Sequence, residues 1–149
     1  MTQLTTGVDI IEIPRIARVL EQYGQRFLRR IFTPGEIEYC RERPPNLAAR
    51  FASKEATMKA LGTGVRGVAW KDIEVVRAPS GAPSIVLHGR AKARAERLGV
   101  QEISLSISHS REYAVAFVVT QCDSSPQLES APPSDEQSSP LSRGERGPA

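Results

Sequence analysis

Four alanines at intervals of four, Ala48, Ala52, Ala56 and Ala60, lie between Pro44-Pro45 and the glycines Gly62 and Gly64. Residues four apart share one face of a helix. The segment therefore predicts a long helix, capped by Asn46 and stopped by the glycines, with a strip of small side chains that admits close packing. The rest of the chain must supply the surface that packs there. With 149 residues, 40% hydrophobic and 25% charged, it fits one ordinary globular domain. No apolar run is long enough to cross a bilayer, so no membrane partner is expected.

The elements around this helix follow from local chemistry. Thr6 to Ile13 is rich in β-branched residues and stops at Pro14, which predicts a short strand. From Arg15 to Arg30, Ile16, Val19, Leu20, Tyr23 and Phe27 mark one face of a helix. Arg15, Arg18, Arg26 and Arg29 project elsewhere. Thr33-Pro34-Gly35-Glu36 combines an N-cap, a first-turn proline and a third-position glutamate, so a short helix starts there and ends at Pro44-Pro45. Strands over 73–77 and 84–87 flank a turn at Pro79-Ser80-Gly81, and a helix is predicted over 89–98. Ile103, Leu105 and Ile107 alternate with serines, and Tyr113 to Thr120 is apolar on both faces, as a central strand is. The fold class is α+β with an antiparallel sheet packed against the long helix. The folded domain spans 4–122. Residues 123–149, rich in Ser, Pro, Gly, Glu and Gln with two leucines, predict a disordered tail.

Asp9 stands in an otherwise apolar strand, where an ionised carboxylate needs a cation. The bland reading is a salt bridge, for instance to Arg15; the functional one is a metal ligand. Glu55 and Lys59 are four residues apart on the alanine-rich helix, which ordinarily means a solvated ion pair. The adjacent small-residue strip, however, puts them at the border of a cleft. If Asp9 and Glu55 converge, they give two oxygen ligands to a hard cation such as Mg2+ and leave its other positions to water and phosphate. That set suits a diphosphate, with Lys59, and Lys54 beside it, placed to neutralise charge developing on a leaving phosphate. Gly62-Thr63-Gly64 matches no phosphate-loop motif and reads first as a helix stop. His109 follows a strand, where ligand contacts concentrate. Cys40 and Cys122 have no metal-ligand spacing and read as reduced thiols, which with the absence of a secretory signal implies the cytoplasm.

Gly7-Val8-Asp9-Ile10 with Arg15, then Arg50-Phe51-Ala52-Ser53-Lys54-Glu55-Ala56 through Lys59-Ala60-Leu61-Gly62-Thr63-Gly64, then Ser106-Ile107-Ser108-His109 and Tyr113-Ala114, resemble the holo-acyl-carrier-protein synthase family in order and spacing from about Gly7 to Val119. The resemblance implies the 4'-phosphopantetheinyl transferase fold, a homotrimer with sites between subunits. It implies transfer of 4'-phosphopantetheine from coenzyme A to a serine of apo acyl carrier protein, in fatty acid biosynthesis. Position by position, Asp9 and Glu55 match the family's magnesium ligands and Lys59 its lysine near the coenzyme A phosphates. Gly62, Thr63, Gly64 and His109 match positions lining the coenzyme A site. The first helix of this family docks the acidic carrier, which assigns that role to Arg15, Arg18, Arg26 and Arg29. The tail has no functional counterpart in the pattern.

A net charge of +3 and a pI near 9.1 also suit a basic module that binds RNA or an acidic protein. Aromatics at 5% leave few stacking platforms for bases, and that reading gives Asp9 and Glu55 no work. Nucleic acid is therefore not an expected partner.

Overall fold

A strand that is apolar on both faces belongs inside a sheet, and the strand running from Tyr113 takes that place. In the computed structural model, which describes residues 1–123, β1 (Thr2–Glu12), β4 (Val100–His109) and β5 (Tyr113–Asp123) form an antiparallel sheet in the order β1-β5-β4. A second antiparallel pair, β2 (Ile73–Arg77) and β3 (Pro83–Leu87), stands apart as its own two-stranded sheet. The strands thus divide into two sheets where the sequence led us to expect one. β1 is also longer than its β-branched run, because the threonines and glutamine from Thr2 onward continue the ladder with β5 as far as Asp123.

Among the described residues six α-helices and a 3-10 turn at Trp70–Asp72 fill the rest: α1 (Ile13–Tyr23), α2 (Gln25–Ile31), α3 (Pro34–Cys40), α4 (Pro44–Leu61), α5 (Gly64–Gly67) and α6 (Gly89–Leu98). The expected single helix over 15–30 is broken at Gly24, whose φ of 53° lies in the left-handed region that glycine enters without penalty. The short helix α3 has the full capping box between Thr33 and Glu36, but it stops at Cys40 with Arg41 left-handed, ahead of the prolines. Those prolines instead open α4, with Arg43 as N-cap in place of Asn46. Proline at the first helical positions costs no hydrogen bond, since those N–H groups have no intrahelical acceptor. At its other end α4 closes on left-handed Gly62, as expected.

The alanine strip meets β1 and β5. Ala48, Ala52 and Ala56 have no exposed surface and Ala60 almost none. They pack with Ile11, Ala114, Ala116 and Val118 of the sheet, with Ile13, Ile16 and Leu28 of the first helices, and with Phe32 just after α2. A smaller cluster of Met58, Leu61, Val68, Ile73, Ala91 and Ala95 joins the far end of α4 to α6 and β2. The opposite face of the three-stranded sheet is uncovered, leaving Leu4, Val8, Ile10, Tyr113 and Phe117 exposed.

Candidate active site

Contact between α4 and β1 is made at Gly7. A Cβ built there would lie 1.9 Å from the carbonyl oxygen of Ala56, so only a residue without a side chain lets the strand rest on the helix backbone. Two residues further along β1, on the same face, stands Asp9; next to Ala56 on α4 stands Glu55. The close approach at Gly7 thereby brings two carboxyl groups together from positions 46 residues apart in sequence.

Asp9 has a side chain only 14% exposed, with Oδ1 3.4 Å from the ammonium of Lys59. Lys59 also donates to the carbonyl of Val8 at 2.9 Å. The other oxygen of Asp9, Oδ2, is buried and receives no hydrogen bond. The Glu55 carboxyl comes close enough to that of Asp9 for the two to interact. Burial, then contact with the Asp9 carboxyl and its charge, pushes the Glu55 acid up to about 7, against the smaller opposing pull of Lys59 and Arg15. Two carboxyls this close disfavour a second negative charge, which a proton on Glu55 or a bound cation relieves. The donor set fits a hard divalent cation: oxygen ligands only, one of them an orphaned buried atom. Among the described residues no third His, Cys, Asp or Glu joins such a group, so part of an octahedral shell is left to other oxygen donors. The salt bridge expected of Asp9 is made, with Lys59 in place of Arg15, whereas Glu55 makes no ion pair with that lysine within 4 Å.

Lys54 corrects one expectation. Its side chain has no exposed surface and its ammonium lies 2.9 Å from Oε1 of Glu36, itself fully buried. It also donates to the carbonyls of Trp70, at 3.2 Å, and Ile73, while Glu36 accepts from the backbone N–H groups of Thr33 and Val75. Lys54 thus ties α4 to α3 and β2 from within the interior, where its ammonium is taken up by protein acceptors. Burial lowers its pKa, and the charge and hydrogen bond of Glu36 oppose that shift.

The remaining expected residues fall in three places. Gly62 and Thr63 border a groove between the end of α4 and α6, while left-handed Gly64 opens α5 outside it. His109 lies across the sheet from the carboxyl pair: Asp9 is opposite Ala116 of β5, which is opposite Ile107 of β4, roughly 10 Å away at two strand spacings. There a cavity of about 190 Å³ is lined by Asn46, Ala49, Arg50, Arg77, Ile107 and His109, among others. The guanidinium groups of Arg50 and Arg77 stack on Tyr39 at 4.3 and 5.1 Å from its ring centre, and the buried Nε of Arg50 has no hydrogen-bond partner. Sequence reasoning passed over Arg50, Arg77 and Tyr39 as parts of a site. The available signal was Arg50 itself, the first residue of the Arg50-Phe51-Ala52 run that the family resemblance rests on. Finally, Arg15 and Arg18 on α1 and Arg26 and Arg29 on α2 are all exposed. Arg15 is near enough to favour the charged form of Glu55, and Arg26 borders a groove lined by Val19, Tyr23, Phe27 and Arg30.

Residues 5–118 match the family model of the 4'-phosphopantetheinyl transferase superfamily. A holo-[acyl-carrier-protein] synthase of Koribacter versatilis is 52% identical over 120 residues, covering 78% of this chain and 96% of that protein. One of Dehalococcoides mccartyi is 52% identical over 118 residues, covering 79% and 98%. The crystal structure of the Helicobacter pylori holo-[acyl-carrier-protein] synthase in complex with coenzyme A superposes with a TM-score of 0.71 at 35% identity, covering 77% of this chain and 98% of that one. The Neisseria meningitidis enzyme gives 0.72 at 36% identity, covering 78% and 96%. The chain therefore belongs to the 4'-phosphopantetheinyl transferase superfamily, among the holo-[acyl-carrier-protein] synthases.

Proposed function

We propose that this protein transfers the 4'-phosphopantetheine arm of coenzyme A to a serine of apo acyl carrier protein, the step that readies the carrier for fatty acid synthesis. The serine oxygen bonds to the β-phosphorus, the bond from that phosphorus to the bridging oxygen breaks, and adenosine 3',5'-bisphosphate departs as the hydroxyl proton is released. The observation that carries this reading is the approach of the Asp9 and Glu55 carboxyls, one Asp9 oxygen buried without a hydrogen bond and the other beside Lys59. Asp9 and Glu55 would hold a magnesium ion, which supplies charge compensation to the diphosphate when bound. Lys59, with its side chain 57% exposed, extends toward solvent from the pair and neutralises charge on the leaving phosphate.

The geometry favours a site shared between copies of the chain. The carboxyl pair lies on one flank of α4, while Arg50, Arg77 and His109 lie on the other. With α4 between them, a site shared between protomers would bring both sets to one ligand. The uncovered sheet face of Leu4, Val8, Ile10, Tyr113 and Phe117 offers the apolar surface for that association, and we assign it to a homotrimer. The Arg50, Arg77 and His109 cavity then takes the phosphate-bearing nucleotide end of coenzyme A. Arg15, Arg18, Arg26 and Arg29 meet the acidic carrier. A cytoplasmic location accords with two buried, unpaired thiols, Cys40 and Cys122, and with the lack, among the described residues, of any helix able to cross a membrane.

Incubation with coenzyme A, magnesium and an apo carrier, read by mass spectrometry, tests the proposal: the carrier gains the mass of one phosphopantetheine. An unmodified carrier refutes it. Mixing a Glu55→Gln chain with an Arg50→Ala/His109→Ala chain tests the shared site, since mixed assemblies recover intact sites that neither variant has alone.

A further inference from the structure

The groove between the end of α4 and α6 has a lining of its own. Arg90, Arg94 and Arg97 face it together with Gly62, Thr63, Gly67 and Ala93, around a space of about 440 Å³. Their spacing of four and three residues puts the arginines in one row along α6, over roughly 10 Å from the first to the last. Arg94 has a structural task, donating from Nε to the carbonyl of Leu61 at 2.9 Å and so capping α4. Arg90 and Arg97 are exposed. Among the described residues none of the three forms an ion pair. The acid nearest the start of α6, Asp72, is engaged by the backbone N–H groups of Ala69 and Arg90. Three guanidinium groups along one groove without a carboxylate partner call for an anion from outside.

The shape and chemistry of the groove decide which kind. No aromatic and no large apolar side chain lines it, so a nucleotide base finds nothing to stack on. The row is longer than a diphosphate, and it matches carboxylates spaced along one face of a helix. Its location also matters: Gly62 and Thr63 follow directly on α4, the helix that carries Glu55 and Lys59, so the groove lies at the C-terminal end of that helix. It is separate from the α1–α2 arginines, which follow the Glu12 end of β1. α6 instead leads into Val100 of β4, level with Cys122 and hence with Gln3 near the other end of β1.

We propose that Arg90, Arg94 and Arg97 form a second docking surface for an acidic helical face of a protein partner, which on the transfer reading above is the carrier. The test uses Arg90→Ala/Arg97→Ala, leaving Arg94 in place to cap α4, with circular dichroism and thermal melting to verify the fold. Carrier is titrated onto the full chain without coenzyme A, and steady-state kinetics are measured with both substrates. The inference expects carrier affinity to weaken on the order of ten-fold and carrier KM to rise alike. It also expects a shallower salt dependence, with kcat and the KM for coenzyme A unchanged. Unchanged carrier affinity in a folded, active variant overturns it, as does a rise in KM for coenzyme A alone, which would make the groove a phosphate subsite. Wild-type protein that neither binds nor modifies a carrier overturns the transfer reading as well, whereas wild-type activity beside an unaffected variant overturns only this inference.

Discussion

Replacing Lys54 by methionine separates a buried structural lysine from a ligand-binding one. The substitution keeps length and removes charge, stranding Glu36 in an interior where both side chains have no exposed surface. Breaking a buried pair on one side costs about 3–5 kcal/mol, a large share of the roughly 5–15 kcal/mol that holds a domain together. Losing the donor to the Ile73 and Trp70 carbonyls acts in the same direction. With a urea slope near 1–3 kcal/mol per molar, the unfolding midpoint falls by on the order of 2 M. The stranded carboxylate escapes part of this cost by taking up a proton, so the loss is smaller at pH 5 than at pH 8. Adding Glu36→Gln removes the charge but leaves a single acceptor oxygen for the two N–H groups of Thr33 and Val75 that Glu36 serves now. The double variant therefore regains part, not all, of the stability. Urea titrations at both pH values measure this directly. A cost below about 1 kcal/mol with a raised KM for coenzyme A would refute the reasoning and return Lys54 to the ligand.

Asp9→Asn and Glu55→Gln each abolish transfer and weaken magnesium binding, seen by calorimetric titration, while the melting temperature stays close to wild type. The pair also sets a pH dependence. Glu55 titrates near 7 in the folded chain against an ordinary 4.5, so the metal-free fold binds the extra proton between those values. Its contribution to stability is present below about 4.5 and is lost as pH rises through 7; melting curves without divalent ions should show that decline, and saturating magnesium should reverse it. Phe117→Arg or Ile10→Arg, placing charge on the uncovered sheet face, yields monomers in analytical ultracentrifugation and no transfer. An active monomer would show that one chain holds a whole site.

Elements set by local chemistry were legible in the sequence: the capping box at Thr33 and Glu36, the α4 stop at Gly62, and the central strand from Tyr113. The carboxyl pair was legible only conditionally: the residues allowed Asp9 and Glu55 to converge beside ordinary salt-bridge readings, and the family resemblance is what named them together. What failed depended on choices between permitted alternatives. Gly24 allows a helix to break without requiring it, and Pro44 can end one helix or begin the next. The burial of Lys54 follows from its neutralisation by Glu36, 18 positions earlier, which no local pattern encodes; its register between Leu47 and Leu61, seven residues to either side, was the trace it left. Arg50, Arg77 and His109 come from three separate elements, and only the folded hairpin and sheet edge bring them to one cavity.

The strand-to-helix approach at Gly7 has a consequence for anyone mapping tolerance to mutation across this chain. Any side chain introduced there must pry the strand away from the helix backbone and separate Asp9 from Glu55, so an alanine at that position is expected to look as inactive as the loss of an acid. A saturation survey scored on turnover alone would rank a residue with no functional group beside the catalytic ones. Scoring the same library for divalent-ion affinity and for folded yield would reveal it as the spacer that sets the gap between the two carboxyls.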